Sequence, residues 1–88
     1  MVQAHVFISG IVQGVSFRQF IKSNARQLGL TGWVHNTEDG GLEAVFCGEK
    51  EKIEQMIELC KKGPMLAEVK HLGFDWEEVE SFQEFSIR

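Results

Sequence analysis

The stretch that decides the fold runs from residue 31 to residue 47 and reads TGWVHNTEDGGLEAVFC. Strand-forming residues alternate on both sides of Asp39-Gly40, and an Asp-Gly pair between two such runs is a strong hairpin signal. We therefore predict strands over 31–37 and 42–47, joined by a turn at 38–41. The rest of the chain is arranged around this hairpin.

A helix is predicted on each side of the hairpin. Before it, apolar residues recur at helical spacing over 17–28, and Gly29 supplies a helix stop. Ser16 followed by Gln19 fits a capping box, in which the two side chains satisfy free N–H groups at the helix start. After the hairpin, the same helical spacing covers 49–62.

The two ends of the chain are predicted to be strands. Over residues 2–9 an aliphatic side chain recurs at every second position, and the glycine-bracketed segment 10–14 interrupts that pattern. Residues 69–76 alternate less regularly, which indicates a bulge or a long edge strand, and 82–87 form a short terminal strand. The order β-α-β-β-α-β predicts an α+β, ferredoxin-like split βαβ domain over residues 1–88, with both helices on one face of an antiparallel sheet.

Composition and charge narrow the possible functions. The 88 residues are 43% hydrophobic with one proline, which is typical of an ordered domain. Nine basic against thirteen acidic residues give a net charge of −4, so the chain lacks the positive field of a nucleic-acid binder. No segment resembles a signal peptide or a membrane helix. With two cysteines and no export signal, we expect a cytoplasmic protein with free thiols.

The first candidate site is the turn that leads into the first helix. Glycines at 10 and 14 bracket it, and Arg18 lies in the first helical turn. Backbone N–H groups at such a turn can converge on an anion, and the helix dipole disfavours a cation there unless an anion is bound between them. The alternative is a surface arginine in an ordinary strand-to-helix turn.

The second candidate site is Asn36, a poor strand former at the end of the predicted second strand. Its amide offers a donor and an acceptor at once, which suits holding a water molecule in one orientation. The alternative is that Asn36 forms an Asx-turn into the hairpin.

Together these segments resemble the acylphosphatase family over nearly the whole chain. The stretch from Val12 to Arg18 is similar to the first signature of that family. The stretch from Gly32 to Asn36, with Asp39-Gly40 and Glu43, is similar to the second, and Gly63-Pro64 fits the later pattern.

The resemblance implies an enzyme that hydrolyses a small-molecule acyl phosphate to a carboxylate and inorganic phosphate, without a metal or other cofactor. It implies that Arg18 binds the phosphate and that Asn36 orients the attacking water. The backbone amides expected to assist Arg18 are those of Gly14, Val15, Ser16, Phe17 and Arg18 itself. We expect a monomer with no nucleic-acid or membrane partner.

Two residues depart from the family pattern. His35 stands where relatives often carry Arg or Lys, and Leu42 stands where many carry Val. Neither substitution touches the implied chemistry, but His35 can make the local charge depend on pH.

Two other functions are compatible with the same scaffold. The first is an accessory module that binds a carbamoyl-phosphate-like ligand without hydrolysing it, since one fold serves many functions. The second is a single-stranded RNA binder that uses the open sheet face, which requires exposed aromatic residues and a basic rim. The third strand, LEAVFC, lacks that pattern.

The remaining histidines and cysteines are predicted to be structural. His5, His35 and His71 lack the close spacing of metal ligands. Cys60 lies on the apolar stripe of the second predicted helix. Alternation along the third strand places Cys47 on the face opposite Leu42, Ala44 and Phe46, so we expect the two thiols on different sides of the sheet and no disulfide between them.

Overall fold

The structure is a computed structural model that describes residues 1–88. Two helices and five strands follow one another in the order predicted from the sequence, and the fifth strand is the short one at the end of the chain. Their bounds are β1 Val2–Ile11, α1 Phe17–Gln27, β2 Thr31–Asn36, β3 Leu42–Gly48, α2 Lys50–Lys62, β4 Glu68–Glu77 and β5 Phe85–Ile87. None of these helices is both long and apolar enough to cross a membrane.

The strands form one sheet in the spatial order β4-β1-β3-β2-β5. β1 pairs with β3 and β4, and β2 pairs with β3, all in antiparallel orientation. The split βαβ arrangement predicted from the sequence is thus confirmed. The short β5 differs from the predicted antiparallel sheet, because it pairs with β2 in parallel orientation. Residues 82–84 of the predicted tail strand lie before this pairing begins.

Both helices pack on one face of the sheet, where alternate residues of the strands are apolar. α1 contributes Phe17 and Ile21 to this layer, and α2 contributes Ile53 and Met56. Periodicity of 3.6 residues in the helices and two in the strands brings these apolar positions together. The buried core consists of Ala4, Val6, Ile8, Val12, Phe17, Ile21, Ala25, Leu30, Val34, Leu42, Ala44, Phe46, Ile53, Met56, Ile57, Cys60 and Phe85.

β1 continues to Ile11, beyond the predicted end at residue 9, because β4 pairs with its last residues. The register shifts between Ser9 and Gly10, so that Lys70 is an extra residue in β4. This confirms the predicted bulge in the fourth strand, which is also an edge strand. Gly10 permits the extension, because a Cβ at Gly10 would lie 2.1 Å from the carbonyl oxygen of Glu68.

The two cysteines lie on opposite sides of the sheet, as predicted. Cys60 lies on the buried face of α2, where burial raises the pKa of its thiol to about 12. The Cys47 thiol lies on the other face and donates to Gln3 Oε1 at 2.8 Å. Burial also raises the pKa of Cys47, and both thiols are free.

Candidate active site

The ends of β1 and β2 lie at the same edge of the sheet. Both strands pair with β3 in antiparallel orientation, so they run parallel to each other. The segment that follows β1 and the last residue of β2, Asn36, are therefore brought to one end of the molecule. These are the two segments that the sequence singles out.

The segment between β1 and α1 has a left-handed backbone at two positions, Gly14 (φ 73°) and Ser16 (φ 64°). Ser16 is the one non-glycine residue of the chain with a positive φ. Alternation of left-handed and other conformations makes successive N–H groups converge into an anion-binding concavity. A non-glycine residue in this region costs of order 1–3 kcal/mol, and such costs cluster at functional sites.

The predicted capping box of Ser16 and Gln19 is wrong. The Ser16 side chain makes no capping hydrogen bond, because an N-cap hydroxyl reaches the first-turn N–H groups from an extended backbone and Ser16 is left-handed. Gln19 Nε2 donates instead to Ser23 Oγ at 3.4 Å. The first backbone bond of α1 runs from Phe20 N–H to Ser16 O, at 3.0 Å. The N–H groups at the start of α1 therefore have no side-chain cap.

Arg18 is half-buried in the first turn of α1 and forms no ion pair with a carboxylate. No acidic residue lies in that first turn either. A guanidinium placed beside unsatisfied N–H groups leaves positive charge at this end of the molecule. A planar fork with five donors suits a phosphate or a carboxylate, which can accept two bonds at once.

Asn36 ends β2 with its side chain exposed, and that side chain forms no hydrogen bond within the protein. The turn into β3 is made by other groups. Thr37 Oγ1 donates to Asp39 Oδ1, and Gly41 N–H donates to Thr37 Oγ1 at 3.0 Å. The Asx-turn alternative for Asn36 is therefore wrong. The Thr37 hydrogen bond is the main cause that lowers the pKa of Asp39.

Gln13 joins the two segments, a role that sequence reasoning missed. Its Nε2 group donates to Thr37 O at 2.9 Å and to Gly41 O at 2.8 Å. These carbonyls flank the β2–β3 turn, which is closed by Thr37 N–H donating to Gly41 O at 2.9 Å. No local pattern marks such a contact, because the partners lie 24 and 28 residues away.

Arg18 and Asn36 line one open groove, of about 430 Å³. The other lining residues are Val12, Gly14, Ser16, Phe17, Gln19 and Ile87. The groove thus combines one guanidinium, one carboxamide and the glycine-containing loop. It contains no carboxylate, imidazole or thiol, so its donor set favours an anionic ligand over a divalent cation.

A larger groove runs along α2, between Glu51 and Lys62, and it is lined almost entirely by charged and polar side chains. It is formed by one solvated helix face and holds neither predicted site residue. We therefore assign the candidate site to the smaller groove, which is lined by Arg18, Asn36 and residues of the β1–α1 loop.

His35 precedes Asn36 but lies on the opposite, open face of the sheet. There Glu43 accepts hydrogen bonds from His35 Nε2 at 2.7 Å and from His5 Nε2 at 2.5 Å. Burial tends to raise the pKa of Glu43, but the two histidine hydrogen bonds outweigh it and the net pKa is lowered. The His35 side chain is therefore separated from the groove by the sheet.

Comparison with known proteins gives a consistent result. The family model for acylphosphatase matches residues 4–87. An acylphosphatase of Roseiflexus sp. strain RS-1 is 49% identical over 77 residues, which cover 88% of this chain and 83% of the relative. An acylphosphatase of Nostoc sp. strain PCC 7120 is 44% identical over 88 residues, covering 100% of this chain and 87% of the relative.

A solved structure agrees with the sequence relatives. The structure of an acylphosphatase from Coxiella burnetii superposes with a TM-score of 0.96 at 39% identity, covering 99% of this chain and 92% of that one. The fold and the family resemblance that the sequence predicts are thus confirmed together. This chain belongs to the acylphosphatase family, and it is a hydrolase of acyl phosphates.

Proposed function

We propose that this chain hydrolyses the carboxyl–phosphate bond with the groove at the β1–α1 loop as its active site. In this proposal Arg18 and the backbone amides from Gly14 to Arg18 bind the phosphate, and Asn36 orients the water. The observation that carries the proposal is that Arg18 and Asn36 line the same groove as the left-handed loop.

The phosphate-binding role of Arg18 is supported by its freedom from any internal carboxylate. A phosphate bound there would gain a bidentate, charge-assisted contact without displacing an existing ion pair. The loop amides would add donors that are already oriented, so that charge developing on the phosphate oxygens is stabilised without rearrangement.

The water-orienting role of Asn36 is supported by its unbonded, exposed carboxamide. The carbonyl oxygen can accept a hydrogen bond from a water molecule, and the NH₂ group can donate one to a water molecule. A neutral amide does not repel an incoming anion, as a carboxylate would. It can therefore hold the nucleophile close to a bound phosphate.

The reaction needs little acid–base assistance. The water oxygen forms a bond to phosphorus, and the bond from phosphorus to the acyl oxygen breaks, so that the carboxylate leaves with the electron pair. Because a carboxylate is a weak base, no general acid is required at the leaving group. The proton of the water passes to an oxygen of the transferred phosphate. Catalysis then consists mainly of positioning and charge stabilisation.

The proposal includes independence from metal ions. Its support is the donor set of the groove, which offers a guanidinium, an amide and main-chain N–H groups but none of the carboxylate oxygens that Mg²⁺ prefers. We further propose a cytoplasmic monomer.

The test uses purified protein, a synthetic aromatic acyl phosphate and EDTA. We expect hydrolysis that inorganic phosphate inhibits competitively, and a loss of about 10²–10³-fold in kcat for Asn36→Ala with little change in the phosphate inhibition constant. Phosphate binding without turnover would support the accessory-module alternative. Full turnover in Asn36→Ala would contradict the role assigned to that residue.

A further inference from the structure

The loop of the proposed site and the end of β2 are joined by one side chain. Gln13 Nε2 donates to Thr37 O and Gly41 O, and these are the two hydrogen bonds that connect residues 12–16 to residues 37–41. The backbone hydrogen bonds of turns and loops include none between these segments. The relative position of the two segments therefore depends directly on the Gln13 carboxamide.

The contact of Gln13 with Thr37 O and Gly41 O requires the NH₂ group of a side-chain amide. Both partners are carbonyl oxygens, which can only accept, so the NH₂ end of the side chain must face them. Gly41 is held equally closely on its other side, since a Cβ there would lie 2.6 Å from Ile8 O. The turn is thus fixed between Ile8 of β1 and the Gln13 side chain.

The bond from Gln13 to Thr37 O joins residues that are each next to a proposed functional group. Gln13 directly precedes Gly14 of the phosphate-binding loop, and Thr37 directly follows Asn36. In a positioning reaction, an error of about 1 Å between nucleophile and electrophile can lower the rate about 10²-fold. A change at Gln13 would alter the distance between the bound phosphate and the oriented water.

We propose that Gln13 is a positioning residue that sets the distance between the phosphate-binding loop and Asn36. This rests on the proposed function, and it assigns Gln13 a part in the reaction without contact with the substrate. It acts through Asn36, so its effect on the rate should disappear when Asn36 is absent.

The first test compares Gln13→Ala with Gln55→Ala, a control at an exposed glutamine of α2. We expect kcat to fall about 10–100-fold in Gln13→Ala, with the inhibition constant of inorganic phosphate changed by less than about threefold. Gln55→Ala should match the wild type. The double variant Gln13→Ala/Asn36→Ala should be no slower than Asn36→Ala. Additive losses, or unchanged kcat in Gln13→Ala, would overturn the inference.

The second test uses Gln13→Glu, which keeps the shape but places carboxylate oxygens against two carbonyls. Its kcat should be lower than that of Gln13→Ala near neutral pH and should recover as the introduced carboxyl is protonated at lower pH. The wild-type profile, measured in parallel, corrects for other titrations. A profile for Gln13→Glu that parallels the wild type would contradict the amide requirement.

A third measurement separates this inference from the proposed function. Amide hydrogen exchange of the free proteins should show faster exchange at Thr37 and Gly41 in Gln13→Ala and unchanged exchange in Gln55→Ala. If the wild type does not hydrolyse acyl phosphates, the proposed function fails on that result. Equal exchange in the two variants and the wild type would instead refute the positioning role of Gln13.

Discussion

Gly10 of β1 lies so close to Glu68 of β4 that a Cβ on Gly10 would be 2.1 Å from the Glu68 carbonyl oxygen. The obstacle is backbone, which cannot swing aside as a flexible side chain can. Gly10 also has a φ of 131°, where a side chain is strained. The last part of β1, from which the proposed phosphate loop departs, therefore depends on this glycine.

Gly10→Ala should destabilise the protein by more than about 2 kcal/mol, because steric overlap and backbone strain add at one position. Chemical unfolding monitored by tryptophan fluorescence measures the change in the free energy of unfolding. Gly73→Ala is the matched control on β4, since a Cβ at Gly73 meets nothing within 4 Å. Equal effects of the two substitutions would contradict the close approach described for Gly10.

Ser16 should be needed for its backbone and not for its hydroxyl. Ser16→Gly suits the left-handed conformation, so we expect retained turnover and a stability equal to the wild type or up to about 1 kcal/mol higher. Ser16→Val introduces a β-branched residue at positive φ and should lower both stability and kcat. Steady-state kinetics and thermal unfolding of the two variants check this. A large loss of kcat in a fully folded Ser16→Gly protein would show that the hydroxyl takes part.

Arg18→Lys should lower kcat/KM about 10²-fold or more, although the positive charge is kept. Lysine presents a single ammonium group in place of a planar fork, so the bidentate contact proposed for the phosphate is lost. Competitive inhibition by inorganic phosphate should weaken in the same variant. Lys22→Ala removes a cation from the same helix outside the groove and should leave both quantities near the wild type. A threefold or smaller effect of Arg18→Lys would argue against bidentate binding.

Glu43 should contribute a pH-dependent part of the stability. Its pKa is lowered below the ordinary value, because the His35 and His5 hydrogen bonds outweigh burial. The stabilisation is therefore present above the unfolded-state pKa and is lost as the pH falls through the lower folded-state pKa. Urea unfolding between about pH 6 and pH 3 should show a smaller decline in Glu43→Gln than in the wild type. Glu54→Gln, an exposed α2 control, should follow the wild-type curve.

Both thiols should react slowly with an aromatic disulfide reagent in the native protein. Burial raises the pKa of Cys60 to about 12 and also raises that of Cys47, so little thiolate forms at pH 8. In denaturant both should react at the rate of a free cysteine. Rapid modification of either residue in the folded state would contradict its burial, and the variants Cys47→Ser and Cys60→Ser would identify which one reacts.

The features that the sequence predicts well are those with local signals. The 38–41 turn, the two amphipathic helices and the alternation of β3 each follow from residues within a few positions of one another. The groove could also be located, because Arg18 and Asn36 interrupt those patterns with residue types that suit neither a helix start nor a strand.

The features that the sequence does not predict depend on contacts between distant residues. β1 continues to Ile11 because Glu68 and Val69 pair with its end. The capping box fails because the loop holds Ser16 in a left-handed conformation, which spacing alone does not encode. No local pattern distinguishes Gln13 from other loop residues, because its partners Thr37 and Gly41 reach its carboxamide only in the folded protein.

The extra residue in β4, Lys70, also affects the outer edge of the sheet. An edge strand offers an outer row of unpaired peptide groups on which another polypeptide could assemble. Here that row is bent by the insertion and carries Glu68, Lys70, Asp75 and Glu77 along its length. Irregular geometry and charge both disfavour the stacking of molecules into fibrils. The insertion that fits β4 to the end of the sheet where the candidate groove lies thus also disfavours edge-to-edge association of folded molecules.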